Sequence, residues 1–92
     1  MQEYIFNDIK YTLEEDKDKI FNYEELKEMI TPYFNDYDYI LGDQSYNKIR
    51  LKGFCNKKNK NFKKINDINT KDEYISLYCA YGCKSFLLKK VQ

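Results

Sequence analysis

The chain of 92 residues holds no histidine, no tryptophan, one proline, three glycines and a single arginine. The missing histidine excludes His-based nucleophilic triads, HExxH zinc helices and the usual general base. Gly42, Gly53 and Gly82 stand far apart, so there is no glycine-rich loop to cradle a phosphate. The longest aliphatic or Phe run near the C-terminus, Phe86-Leu87-Leu88, is far short of a membrane span. The opening MQEYIFNDIK lacks a basic region followed by an apolar stretch, so no secretory signal is expected. An odd number of cysteines then fits a reducing cytosol better than a disulfide framework. Cys79 and Cys83 are one helical turn apart, but with Cys55 they supply only three of the four ligands a structural metal needs. They are read as small buried hydrophobes, and no metal or other cofactor is implied.

What the chain does have is rings and charge. Hydrophobic residues make up 42% and aromatics 17%, with ten Tyr and six Phe, enough bulk for a core built from rings as much as from aliphatic chains. The length is just above that at which one core becomes hard to build, so residues 1–92 are expected to form a single domain. The net charge of +1 conceals two opposed halves. Met1–Asn47 carries twelve acids against four bases, and Lys48–Gln92 twelve bases against three acids. Within Lys48–Lys64 there are eight bases and no acid. Such a run favours an anionic partner, and lysine acts as a point charge without the fork of arginine, so phosphate is favoured over base sequence.

Patterning gives the order of elements. Glu3–Phe6 and Ile9–Leu13 alternate as short strands around Asn7-Asp8, joined either by a tight hairpin or by a bulge in one longer strand, and Glu14–Lys19 reads as an acidic turn. Asn22 is an N-cap with Glu25 three residues on, and Phe21 and Leu26 hold the positions of a hydrophobic staple. The helix that follows would bury Leu26, Met29, Ile30 and Tyr33 until Pro32 stops or kinks it near Thr31. Tyr37–Leu41 and Asn47–Phe54 read as an antiparallel pair around the turn formers Gly42-Asp43-Gln44-Ser45. Cys55–Ile68 is a long polar connection, mobile or functional. A second helix is expected from Thr70, with Glu73 completing a capping box. It is apolar almost all round through Tyr81, deeply packed, and closed by Gly82. Lys84–Val91 is the last strand. The expected fold is α+β in the order β-β-α-β-β-α-β, a mostly antiparallel sheet packed against two helices as one pair of layers.

Four segments carry a resemblance. Tyr37-Asp38-Tyr39-Ile40-Leu41-Gly42-Asp43, Ile49-Arg50-Leu51-Lys52-Gly53-Phe54, Tyr78-Cys79-Ala80-Tyr81-Gly82-Cys83 and Phe86-Leu87-Leu88-Lys89-Lys90-Val91 stand in the order of the YutD-like family of low-GC Gram-positive bacteria, which this chain resembles from Tyr37 to Val91. The N-terminal third is compatible with it. Where that family has Trp-Gly after the Gly-Asp pair, this chain has Gln44-Ser45. The resemblance implies a small cytosolic α+β protein with a regulatory label and carries over no catalytic residue.

For function, Asp43 and Arg50 face each other across the predicted turn, as a structural salt bridge or hydrogen bond holding the hairpin, or as an anion clamp or acid/base pair. No nucleophile with a partnering base is visible, so the chain is read as a non-catalytic binding or regulatory protein of the cytoplasm. Lys48, Arg50 and Lys52 share one face of a strand, and Lys57, Lys58, Lys60, Lys63 and Lys64 extend the positive field. With Ile40 in the core, Tyr37 and Tyr39 would stand beside those cations on an open sheet, an arrangement that holds single strands by stacking and phosphate neutralisation. Nucleic acid, RNA more than DNA, or a nucleoprotein is the expected partner. The alternative is a protein-interaction module that uses the acidic half and its tyrosines, and neither reading involves a membrane.

Overall fold

Five strands in the spatial order β1-β2-β5-β3-β4, every neighbouring pair antiparallel, frame the computed structural model, which describes residues 2–45, 48–78 and 84–91. The strands are β1 (Glu3–Phe6), β2 (Ile9–Glu15), β3 (Tyr39–Ser45), β4 (Lys48–Phe54) and β5 (Lys84–Lys90). Helix α1 (Tyr23–Met29) lies between β2 and β3, and α2 (Lys71–Tyr78) between β4 and β5. The fold is α+β in the expected order of elements.

The β1–β2 link is a tight hairpin. Asn7 and Asp8 both take positive φ (54° and 66°), the pairing that a two-residue turn needs to match strand twist. At α1, Oδ1 of Asn22 accepts the backbone N–H of Glu25 at 3.2 Å, as the sequence predicts. The helix stops at Met29, one turn short of the expected stripe, and Pro32 starts a separate 3-10 turn, Pro32–Asp36. Tyr33 therefore leaves the buried face and is 66% exposed.

The last strand enters the middle of the sheet. Phe86, Leu87 and Leu88 are all buried, and alternation sends Phe86 and Leu88 to one face and Leu87 to the other. On the α1 side Phe6, Tyr11, Leu26, Ile30, Phe34, Ile40, Phe86 and Leu88 form the main core. On the α2 side Leu41, Phe54 and Leu87 form a smaller one, with Tyr39, Ile68, Tyr74 and Ile75 against it. The two helices thus cover opposite faces, giving three layers where two were expected.

Two further expectations change. Gly42-Asp43-Gln44-Ser45 is not a turn but the second half of β3, with Asp43 opposite Arg50 and Ser45 opposite Lys48. Glycine at 42 is required by packing, since a Cβ there would lie 2.1 Å from the Phe86 ring. Helix α2 is not apolar-buried throughout, for Leu77 is 68% exposed. The predicted end of that helix, with Cys79, Tyr81, Gly82 and Cys83, lies outside the described residues. Among the described residues no helix is long and apolar enough to cross a membrane, and no group of three or more His, Cys, Asp or Glu is placed to hold a metal.

Candidate binding surface at the β4 edge

Strand order carries part of the charge split of the sequence into space, although Asp36, Asp38 and Asp43 stand on the basic side. The acids Glu3, Glu14 and Glu15 belong to β1 and β2 at one edge, and the bases Lys48, Arg50 and Lys52 to β4 at the other. Beyond β4 the long connection is ordered by its own amides. Oδ2 of the buried Asp38 accepts the backbone N–H of Asn56 at 2.8 Å and Nδ2 of Asn59 at 3.1 Å. Nδ2 of Asn59 also donates to the Asp36 carbonyl at 3.0 Å, and its Oδ1 accepts from Asn61 N at 2.7 Å. Buried Asn66 accepts from Lys63 N and donates to the Asn61 carbonyl. A parallel bridge between Cys55 and Asp67 closes the base of the loop, with Cys55 N–H donating to Asn66 O and Ile68 N–H to Cys55 O. Burial pushes the Cys55 thiol above its ordinary pKa, so it stays neutral.

Because asparagine and aspartate hold the backbone, the lysines are left outward. Lys57, Lys58, Lys60, Lys63 and Lys64 are exposed, and none forms an ion pair with another described residue. Lys57, Lys58 and Lys60 line an open concavity of about 700 Å³ together with Lys90, and Asp36 and Asp38 stand in the same lining. The Lys90 ammonium also donates to the Asn35 carbonyl.

The strand cations behave differently. Nε of Arg50 donates to Oδ1 of Asp43 at 2.9 Å, with the carboxylate buried and the guanidinium half exposed. The bond raises the Arg50 pKa further, and the pair joins β3 and β4 where Asp43 stands opposite Arg50. The Lys52 ammonium lies 5.3 Å from the Phe54 ring centroid and 5.4 Å from that of Tyr74, covering the edge of the second core. Lys48 is exposed. The face that carries these three is therefore shared with α2 and is not an open sheet.

The two tyrosines named with them part company. Tyr39 lies on the face of Lys52 and packs on the smaller core, while Tyr37 precedes the strand and joins the main core. Its ring occupies the space above Gly53, where a Cβ would come within 2.3 Å of it. The Tyr37 and Tyr33 hydroxyls are 3.1 Å apart, and this bond, helped by burial, pushes the Tyr37 phenol up to about 12. Tyr33 and Tyr37 reach the outside around the β4 edge and meet Lys52, Lys60 and Lys63 across a second concavity of about 520 Å³. Cations and rings do come together here, at the edge of the sheet. Tyr33, Asn59 and Lys90 are missed by pattern reading. Pro32 was the available signal for Tyr33, since a proline that ends a helix also turns the next residue off its buried face.

By fold, this is a small α+β domain with a basic edge strand and loop. A family model described as "Putative antitoxin YutD-like" matches residues 5–89. The protein named "Putative antitoxin YutD" from Bacillus subtilis (strain 168) is 43% identical over 72 residues, 78% of this chain and 79% of that one. A solution NMR structure of protein yutD from B. subtilis superposes with a TM-score of 0.81 at 35% identity, covering 100% of this chain and 84% of that one. The chain belongs to the YutD-like family, and the match takes in the N-terminal strands as well as the segments that carry the sequence resemblance. The family description places it among small regulatory proteins.

Proposed function

We propose that the chain is a non-catalytic cytoplasmic regulator of the antitoxin type that acts by binding, and that its basic loop engages nucleic acid, RNA in preference to DNA, alone or within a nucleoprotein. Regulation by binding calls for a surface and not for a reaction centre. The observation that carries the nucleic-acid reading is the set of exposed lysines with no ion pair to another described residue, Lys57, Lys58 and Lys60 with Lys63 and Lys64, on a loop held by other side chains. Lys48, Arg50 and Lys52 extend the same positive field along β4, with Tyr37 and Tyr39 at its end. Cations presented in this way neutralise phosphates and release the counterions condensed on the backbone, which drives binding and makes it salt-dependent.

The test is fluorescence anisotropy with a labelled single-stranded RNA of mixed sequence and its DNA counterpart. Affinity should fall roughly tenfold between 50 and 200 mM salt if about two to three phosphates are neutralised. Reversing Lys57, Lys58 and Lys60 to Glu together should abolish binding at the higher salt. An affinity indifferent both to salt and to the triple reversal overturns the reading.

A second reading has its own observation. Ile65 and Leu77, 75% and 68% exposed, flank a groove of about 290 Å³ along Tyr74 whose rim holds Lys52 and Lys64 against one acid, Glu73. An apolar floor with a cationic rim fits an acidic amphipathic segment of a protein. A protein that co-purifies stoichiometrically after nuclease digestion, and is lost from the Ile65→Asp variant, would favour it.

A further inference from the structure

Tyr33 is an aromatic ring that is fixed in place yet two-thirds open to solvent. It stands edge-on to Phe34, centroids 5.0 Å apart at 86°, and tilted against Tyr37 at 5.6 Å and 48°. Its hydroxyl is tied to that of Tyr37 at 3.1 Å, and Tyr37 is itself locked over Gly53. The 3-10 turn that carries it begins at Pro32, which restricts the backbone. A ring held by three contacts loses little further freedom on binding, unlike the lysine chains around it. Facing it across the concavity are Lys52, Lys60 and Lys63, with Asp36 the one carboxylate on the wall.

We propose that Tyr33 is the platform of a base-stacking subsite, where one unpaired nucleobase lies on its exposed face while Lys60 and Lys63 neutralise the flanking phosphates. The inference rests on the nucleic-acid reading and adds a substrate class to it. A base within a duplex has both faces covered by its neighbours, so a single side-chain platform selects single strands, loops and ends. Lys57 and Lys58, in the neighbouring concavity, would follow the backbone beyond the stacked base, and Lys60 lines both depressions. Stacking is indifferent to base identity, so little sequence preference is expected.

The experiment compares Tyr33→Ala, Tyr33→Phe and the Lys57, Lys58 and Lys60 triple reversal to Glu with the unmodified chain. The probes are a labelled twelve-residue oligouridylate and a blunt RNA duplex, and circular dichroism checks the fold of each variant. Tyr33→Ala should weaken oligouridylate binding about tenfold, in the range of one base–aromatic stack, and leave the salt dependence unchanged. Duplex binding should move less than about twofold, and Tyr33→Phe, which keeps the ring, should bind like the parent. Since the chain has no tryptophan, quenching of tyrosine emission by the oligonucleotide gives a second readout that Tyr33→Ala should diminish. Unchanged oligouridylate affinity in Tyr33→Ala, beside a loss in the lysine variant, would overturn the subsite and leave the electrostatic reading standing. An unmodified chain that binds neither probe would overturn both and leave the protein partner.

Discussion

Leu87 and Leu88 are adjacent in sequence, alike in chemistry and both buried, yet they serve different cores. Leu88 points to the α1 side, where eight buried residues interlock, among them Phe6, Tyr11, Phe34 and Phe86 with edge-on ring contacts such as Phe21–Phe86 at 5.3 Å. Leu87 points to the α2 side, where three of the described residues form the buried cluster and the margin is finished by the Lys52 ammonium over the Phe54 and Tyr74 rings. Among the described residues, one face of the sheet is closed and the other thinly covered. The second β4-edge concavity draws on both faces, with Tyr33 and Tyr37 from the α1 side and Lys52 from the α2 side, and the loop next to it is held by asparagine and aspartate hydrogen bonds. The difference teaches which residues can be altered without unfolding the protein: Tyr33 and the loop lysines are exposed and stand outside both buried clusters.

Truncating each leucine in turn tests that asymmetry most strongly. Leu88→Ala should cost about 4 kcal/mol and Leu87→Ala about 2 kcal/mol, the high and low ends of the usual range for buried leucine, because the thin side can collapse around the gap. Urea unfolding of both variants at one pH gives the numbers. Equal losses would break the comparison, making the small core as well packed as the large one.

The closed face was the legible one. The Asn22 cap, the Asn7-Asp8 turn, the alternation of Ile49 and Leu51 with charges, and the central apolar run of β5 are local patterns, and each is satisfied by neighbours within a few residues or by a whole face. Errors arose where a distant residue decides. Gly42 and its polar neighbours read as a turn because only Phe86, more than forty positions away, explains why glycine is needed inside a strand. Lys52 read as an open-face cation because nothing nearby reveals that α2 brings Tyr74 beneath it. The loop read as a charge run because its asparagines, which look like filler, find their partners in Asp36 and Asp38. The candidate surface was half legible for the same reason: its lysines are visible in sequence, whereas Tyr33 reaches them only through the folded edge of β4.

A smaller effect sharpens the picture of the closed face. The Tyr11 hydroxyl is buried in the main core with no hydrogen-bond partner among the described residues. Tyr11→Phe should therefore stabilise the protein by about 1 kcal/mol, the cost of an unmet polar group regained. Burial also raises the Tyr11 pKa above the ordinary 10.0, which favours the neutral phenol in the folded state. That contribution is fully present below pH 10 and is lost as pH rises through the folded-state value. The advantage of Tyr11→Phe should hence widen at pH 11 relative to pH 8 in chemical denaturation. A variant less stable than the parent at both would mean that the hydroxyl has a partner.

The smallest effect is expected at the loop, and there it is the contrast that matters. Reversing Lys57, Lys58 and Lys60 to Glu should change stability by less than about 0.5 kcal/mol, because all three are exposed and none is ion-paired with a described residue. Asn59 sits between them, and Asn59→Ala should cost about 1–2 kcal/mol, since it strips Asp38 and the Asp36 carbonyl of a shared donor. Thermal unfolding of the two variants side by side decides the matter. If six units of charge change matter less than one amide, the lysines are not there to build the loop, and their repulsion is tolerated for something outside the molecule. If the reversal destabilises as much as Asn59→Ala, the positive run is part of the scaffold, and the case for an anionic partner at this edge falls with it.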